Sequence, residues 1–171
     1  MKKFKLTSEF TQYYSGVKLF RIQALSSFSN VVKNDLGGFI EKEENLSHYD
    51  CAWVYGNAKV YGNAKVYGDA KVYGYAKVYD NAWVSGYAWV YGDAKVYDNA
   101  WVYGDAEVYG YAKVYDNAWV SGYAKVYGNA KVSDNVIIYA NQTELETQPV
   151  PNDNIKNNLI PYLLKGRKVE L

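Results

Sequence analysis

The sequence is poor in the residues from which most active and metal sites are built. It has one histidine (His48), one cysteine (Cys51), one methionine and three prolines in 171 residues. One His and one Cys cannot supply a zinc site. A single cysteine excludes an internal disulfide and suits a reducing compartment, so a cytoplasmic protein is expected. No phosphate-binding loop, dinucleotide fingerprint or nucleophile elbow occurs, and no cofactor or metal is expected. Charge of one sign is also lacking: 19 Lys and Arg stand against 18 Asp and Glu, a net +1. That balance argues against nucleic acid as a partner. No apolar run approaches a membrane span. Met1-Lys2-Lys3 opens like a signal peptide, but Lys5, Ser8, Glu9 and Gln12 break the apolar stretch that would have to follow.

What is present is repetition. From Ala52 to Tyr139 the phrase Ala-x-Val-Tyr-x-x recurs, with Val at every sixth residue from Val54 to Val132 and Ile138 closing the series. In an extended segment Ala and Val, two apart, point to one side, while x and Tyr point to the other. The remaining pair is Gly-Asn, Gly-Asp, Asp-Asn or Gly-Tyr, residues suited to a corner with positive φ. One such strand cannot bury its own Ala and Val, so the strands must coil and stack.

The corners give the coil length. Asp80-Asn81, Asp98-Asn99, Asp116-Asn117 and Asp134-Asn135 are spaced eighteen residues apart, and Tyr73 to Ala88 returns unchanged as Tyr109 to Ala124. An eighteen-residue coil is a three-sided prism in which residues eighteen apart lie above one another, about 4.8 Å apart. The fifteen hexads then make five coils.

The phrase, with pairs such as Val60 and Ala64, resembles the hexapeptide repeat of left-handed parallel β-helices, and this resemblance implies the left hand. The expected fold is an all-β, single-stranded, three-sided β-solenoid with non-repeat caps at both ends. The segments Leu36-Gly37-Gly38-Phe39-Ile40-Glu41 and Glu43-Glu44-Asn45-Leu46-Ser47, leading into tyrosine-rich hexads, resemble small bacterial and prophage repeat proteins. Those proteins mostly carry no assigned activity. The resemblance implies a phage or prophage origin.

Three segments follow: 1–51 as an N-terminal β cap and irregular leading coil, 52–141 as the solenoid, and 142–171 as a strap with a short helix broken at Pro161. In the first, Phe4–Thr7 and Val17–Ile22 alternate like strands around the turn Tyr14-Ser15-Gly16. Phe39-Ile40 starts an irregular coil, and Glu41 to Glu44 is expected to be a solvated rim. The last segment caps its own solenoid or grips a neighbouring subunit.

Three outward columns can be written from the register. The first is Lys59, Lys77, Lys95, Lys113 and Lys131 beside Tyr61, Tyr79, Tyr97 and Tyr115. It is either a solvated face that resists aggregation or an anion or polynucleotide track, with Lys for phosphate and Tyr for stacking. The second is Lys65, Trp83, Trp101, Trp119 and Ile137 beside Tyr67, Ser85, Tyr103, Ser121 and Tyr139. Its apolar strip is expected to be a contact surface, centred on Trp83, Trp101, Trp119, Tyr103 and Ile137, with a homo-oligomer, dimer or trimer, as the contact. The third is Trp53, Lys71, Trp89, Glu107 and Lys125 beside Tyr55, Tyr73, Tyr91, Tyr109 and Tyr127, with Tyr75 and Tyr111 at its corners. Its aromatics either receive sugar rings or bases, or only shield the strands.

The hexapeptide-repeat resemblance raises acyltransfer, because those enzymes typically use a histidine base at a coil or loop. Here His48 lies in the leading coil and no loop interrupts the hexads. A calcium site is not expected from single stacked Asp residues, and no threonine ladder occurs in 52–139. The expectation is a non-enzymatic binding or scaffold solenoid that engages an unknown host protein or small ligand, blocking or sequestering a host component. The alternatives are a degenerate acyltransferase-like enzyme and a structural fibre or spacer.

Overall fold

Each hexad contributes two strand residues, x and Val, and a corner, so three hexads bring the chain back over itself. In the computed structural model, which describes residues 2–13 and 16–141, this produces three parallel stacks. One stack joins Lys59–Val60, Lys77–Val78, Lys95–Val96, Lys113–Val114 and Lys131–Val132. The second joins Lys65–Val66, Trp83–Val84, Trp101–Val102, Trp119–Gly122 and Ile137–Ala140. The third joins Trp53–Val54, Lys71–Val72, Trp89–Val90, Glu107–Val108 and Lys125–Val126. Every pairing within these stacks is in the eighteen-residue register that the corners predicted.

The Ala and Val of each hexad from Ala52 to Val132 fill the prism, none more than 2 % exposed. Corners hold the backbone close. A Cβ on Gly86 would stand 2.9 Å from the Gly104 nitrogen, nearer than packing allows, and φ there is +65°. On the corner that follows the lysine stack, Asp80, Asp98, Asp116 and Asp134 take the same left-handed conformation at φ of 56–63°, which costs a side-chain-bearing residue roughly 1–2 kcal/mol.

The N-terminal segment lengthens the lysine sheet. Strands β1 (Phe4–Gln12) and β2 (Lys18–Ala24) form an antiparallel hairpin, and β2 pairs antiparallel with β3 (Leu36–Ile40). Strand β3 then runs parallel to Lys59–Val60, giving eight strands in that sheet. Phe39-Ile40 begins an irregular leading coil. Ile40 lies over Val60 and Leu46 over Val66, each twenty residues apart. The two extra residues fall between Leu46 and Val54, where Tyr49 stands 92 % exposed.

This coil closes the end of the prism by replacing backbone donors with side chains. The Ala58 carbonyl accepts from the Phe39 N–H at 2.9 Å, as in any coil. The Ala64 carbonyl accepts instead from Asn45 Nδ2 at 2.9 Å, and the Ala52 carbonyl from Lys3 Nζ at 2.8 Å. Two corner N–H groups are met by carboxylates: Gly62 by Glu41 at 2.6 Å and Gly68 by Asp50 at 3.1 Å. The stretch Glu41 to Glu44 is thus more than a solvated rim. The expected strap and helix of 142–171 lie outside the described residues, as do Tyr14 and Ser15 of the hairpin turn.

Candidate functional site: the lysine groove and the aromatic ladders

The corner geometry aligns each outward column, and the aromatic side chains respond by stacking. Tyr61, Tyr79, Tyr97 and Tyr115 form a ladder with ring centroids 4.9–5.0 Å apart and planes within 3°. Trp83, Trp101 and Trp119 do the same at 5.0 and 5.1 Å, as do Tyr73, Tyr91, Tyr109 and Tyr127 at 4.7–5.1 Å. Inside a ladder both faces of each ring are engaged by the neighbours, which contributes about 0.5–1.5 kcal/mol per pair. The interior rings of each ladder offer only edges outward. In the column beside the lysines, Tyr79 and Tyr97 have both faces taken by ladder neighbours.

The structure brings Trp83, Trp101, Trp119 and Ile137 onto one sheet, and Tyr103, just past the strand Trp101–Val102, meets Trp119 edge-on at 6.5 Å. Of the three indoles Trp119 is the most exposed, at 38 %, while Trp83 and Trp101 are half-buried. Trp53 differs from its column. It is 1 % exposed, because Phe28 at 5.3 Å and Phe4 at 6.2 Å close over it from the N-terminal segment.

The lysine column is the most distinctive electrostatic feature. Lys59, Lys77, Lys95, Lys113 and Lys131 line a groove of about 860 Å³ together with Thr11, Phe39 and the preceding corner, where Asn57, Tyr75, Asp93, Tyr111 and Asn129 follow one another. None of the five lysines has an ion pair among the described residues. Elsewhere on the solenoid positive charge is compensated or isolated: Lys125 pairs with Glu107 at 2.9 Å, while Lys65 and Lys71 lie over Trp83 and Trp89. The hairpin overhangs the groove. Tyr13 sits over Tyr61 at 5.2 Å, and the ammoniums of Lys59 and Lys77 lie 5.3 and 5.5 Å from its ring. Burial, reinforced by neighbouring tyrosines and aspartates, pushes the Tyr61 and Tyr79 hydroxyls well above the ordinary phenol range. They remain neutral donors.

A second column was not read from the sequence. Asn63, Asn81, Asn99, Asn117 and Asn135 hand a hydrogen bond down the prism, Nδ2 to Oδ1, at 3.1–3.3 Å. The eighteen-residue spacing of these asparagines was the available signal. Asn45 precedes Asn63 by eighteen residues in the sequence, but the twenty-residue register of the leading coil sets it over Lys65 instead.

His48 is held within the cap. Its ring stacks on Phe4 at 4.1 Å, Nδ1 accepts from the Lys3 N–H at 3.2 Å, and Nε2 lies 3.5 Å from Glu43. The Lys2 ammonium, hydrogen-bonded to Glu43, holds that carboxyl below the usual range. Burial, with a hydrogen bond to Asp69, raises the Cys51 thiol above its ordinary value, so the thiolate is disfavoured. Among the described residues no group of three or more His, Cys, Asp or Glu could hold a metal ion. No helix among them is long and apolar enough to cross a membrane.

Residues 76–92 match the family model described as the YdcK Beta solenoid repeat. That stretch is about one coil of the prism. A comparison with curated proteins finds no match. The match and the stacked parallel coils agree on a repeat β-helix protein.

Proposed function

We propose that this β-solenoid is a binding scaffold without catalysis of its own, and that it takes an anionic ligand in the lysine groove. One observation carries the reading: five lysines stacked at strand spacing with no carboxylate partner among the described residues, on a protein of net charge +1. Neighbouring ammoniums at that spacing repel by about 0.9 kcal/mol even in water. An anion laid along the column relieves this repulsion. The position of His48 within the cap supports the absence of catalysis, and loss of an acyl-CoA-dependent activity in His48→Ala would overturn it.

Cation-exchange chromatography tests the groove. Lys95→Glu/Lys113→Glu and Lys65→Glu/Lys71→Glu change net charge equally. The first pair is expected to elute at much lower salt than the second. Equal shifts would show that the column is no more than its share of the net charge, and the reading would fall.

The tryptophan sheet is proposed as a self-association surface, giving a dimer or trimer centred on Trp119. Light scattering across protein concentrations tests it, with Trp119→Glu expected to yield monomer. Resemblance in the leading coil supports a phage or prophage product that blocks or sequesters a host component in the cytoplasm. A plain spacer would tolerate every one of these charge changes without effect.

A further inference from the structure

The corner that borders the groove alternates. Tyr75, Asp93 and Tyr111 succeed one another on consecutive coils, so the two tyrosines stand two coils, roughly 9.6 Å, apart. Unlike the ladder rings, Tyr75 and Tyr111 stack on no other ring among the described residues and are 61 % and 65 % exposed. Their faces are free. Asp93, between them, is exposed and makes no ion pair among the described residues. Lys77, Lys95 and Lys113 run alongside in the same groove.

Each of these groups favours a different part of a ligand. A free tyrosine face on every second coil suits a flat ring with apolar C–H edges. A carboxylate between two such faces accepts hydrogen bonds and repels phosphate, so it suits hydroxyl groups. A lysine on every coil suits a polymer with one anionic group per unit. Phosphodiester strands satisfy the first and third conditions but place charge beside Asp93. Resting on the anionic-ligand reading above, the geometry points to an acidic polysaccharide, an extended chain of uronic acid units lying along the solenoid axis. Its pyranose faces sit on Tyr75 and Tyr111, its hydroxyls donate to Asp93, and its carboxylates meet Lys77, Lys95 and Lys113.

The test is calorimetric titration of the full chain at low salt with three probes: a short oligomannuronate, the same oligosaccharide with its carboxyls reduced to alcohols, and oligo-dT. Oligomannuronate is expected to bind, and the reduced form to bind at least about tenfold more weakly. Tyr75→Ala/Tyr111→Ala and Lys95→Gln/Lys113→Gln are each expected to lose about tenfold or more, whereas Tyr75→Phe/Tyr111→Phe keeps the ring faces and the affinity. All substituted side chains lie outside the core, and melting of each variant no lower than the parent's shows that binding, not folding, is being read. Tighter binding of oligo-dT, or oligomannuronate binding indifferent to Tyr75→Ala/Tyr111→Ala, overturns the polysaccharide while leaving an anion groove standing. Absence of binding to either polyanion overturns both.

Discussion

Lys3 Nζ donates to the Ala52 carbonyl at 2.8 Å and to the Asp50 carbonyl at 2.7 Å, so an ammonium closes one face of the prism where another face uses a backbone N–H. The side chain is 5 % exposed. Burial pushes its pKa down to about 8, against partial compensation from Cys51, Asp50 and Asp69.

That shift predicts a rise in stability with pH. Between about 8 and 10.5 the unfolded chain holds a proton on Lys3 that the folded chain has released, so unfolding free energy increases across this window. The full gain is on the order of 3 kcal/mol. Denaturant melts from pH 7.5 to 9.5 should show the rise, and Lys3→Met should abolish it. Above about pH 10 the trend reverses. Tyr61, Tyr79 and Tyr91 have raised values in the fold, so the unfolded chain loses those protons first.

Asn45 is wholly buried and satisfies three backbone groups: the Lys42 N–H and the Gly62 and Ala64 carbonyls. Asn45→Leu leaves them unmet and is expected to cost about 1–3 kcal/mol. Asn99→Leu, in the exposed part of the ladder, should cost no more than about 1 kcal/mol. Equal losses in urea melts would contradict the capping role.

Asp98 combines a left-handed backbone at φ 56° with a carboxylate that accepts from the Asp116 N–H at 3.4 Å. Asp98→Ala keeps the strain and loses the acceptor, for an expected loss of about 1–2 kcal/mol. Asp98→Gly removes the strain as well and should fall within about 0.5 kcal/mol of the parent. Thermal melting of the pair separates backbone from side-chain effects.

Repulsion along the lysine column predicts that Lys95→Gln stabilises the protein. The gain should stay below about 1 kcal/mol, since flexible stems let the ammoniums splay. It should vanish near about 0.5 M salt. A salt-independent gain would place its origin elsewhere.

Much of the fold was legible because it is periodic. The phase of Val fixes which side chains enter the prism, and the Asp-Asn corners fix which residues stack, so the columns follow by counting. The parts not legible depend on contacts without a period. Trp53 reads as an outward residue like Trp89, and only the arrival of Phe28 and Phe4 buries it. Tyr13 reaches the lysines because the hairpin continues their sheet, a matter of which strand β2 meets. Ring stacking was a further limit, since a column of Tyr in the sequence does not say whether its faces are engaged, and that distinction separates Tyr79 from Tyr75.

The return of Tyr73 to Ala88 as Tyr109 to Ala124 also has a consequence for the gene. Misaligned recombination between near-identical stretches adds or removes codons in steps of the repeat. A step of thirty-six residues, the distance between these two copies, inserts two whole coils and lengthens the prism by roughly 10 Å. Tyr and Asp then continue to alternate along the groove. A step of eighteen keeps the core intact but sets two tyrosines, or two acids, side by side. The core accepts either length, whereas the groove keeps its pattern only in even steps, so heredity can lengthen this molecule as a ruler graduated in pairs of coils.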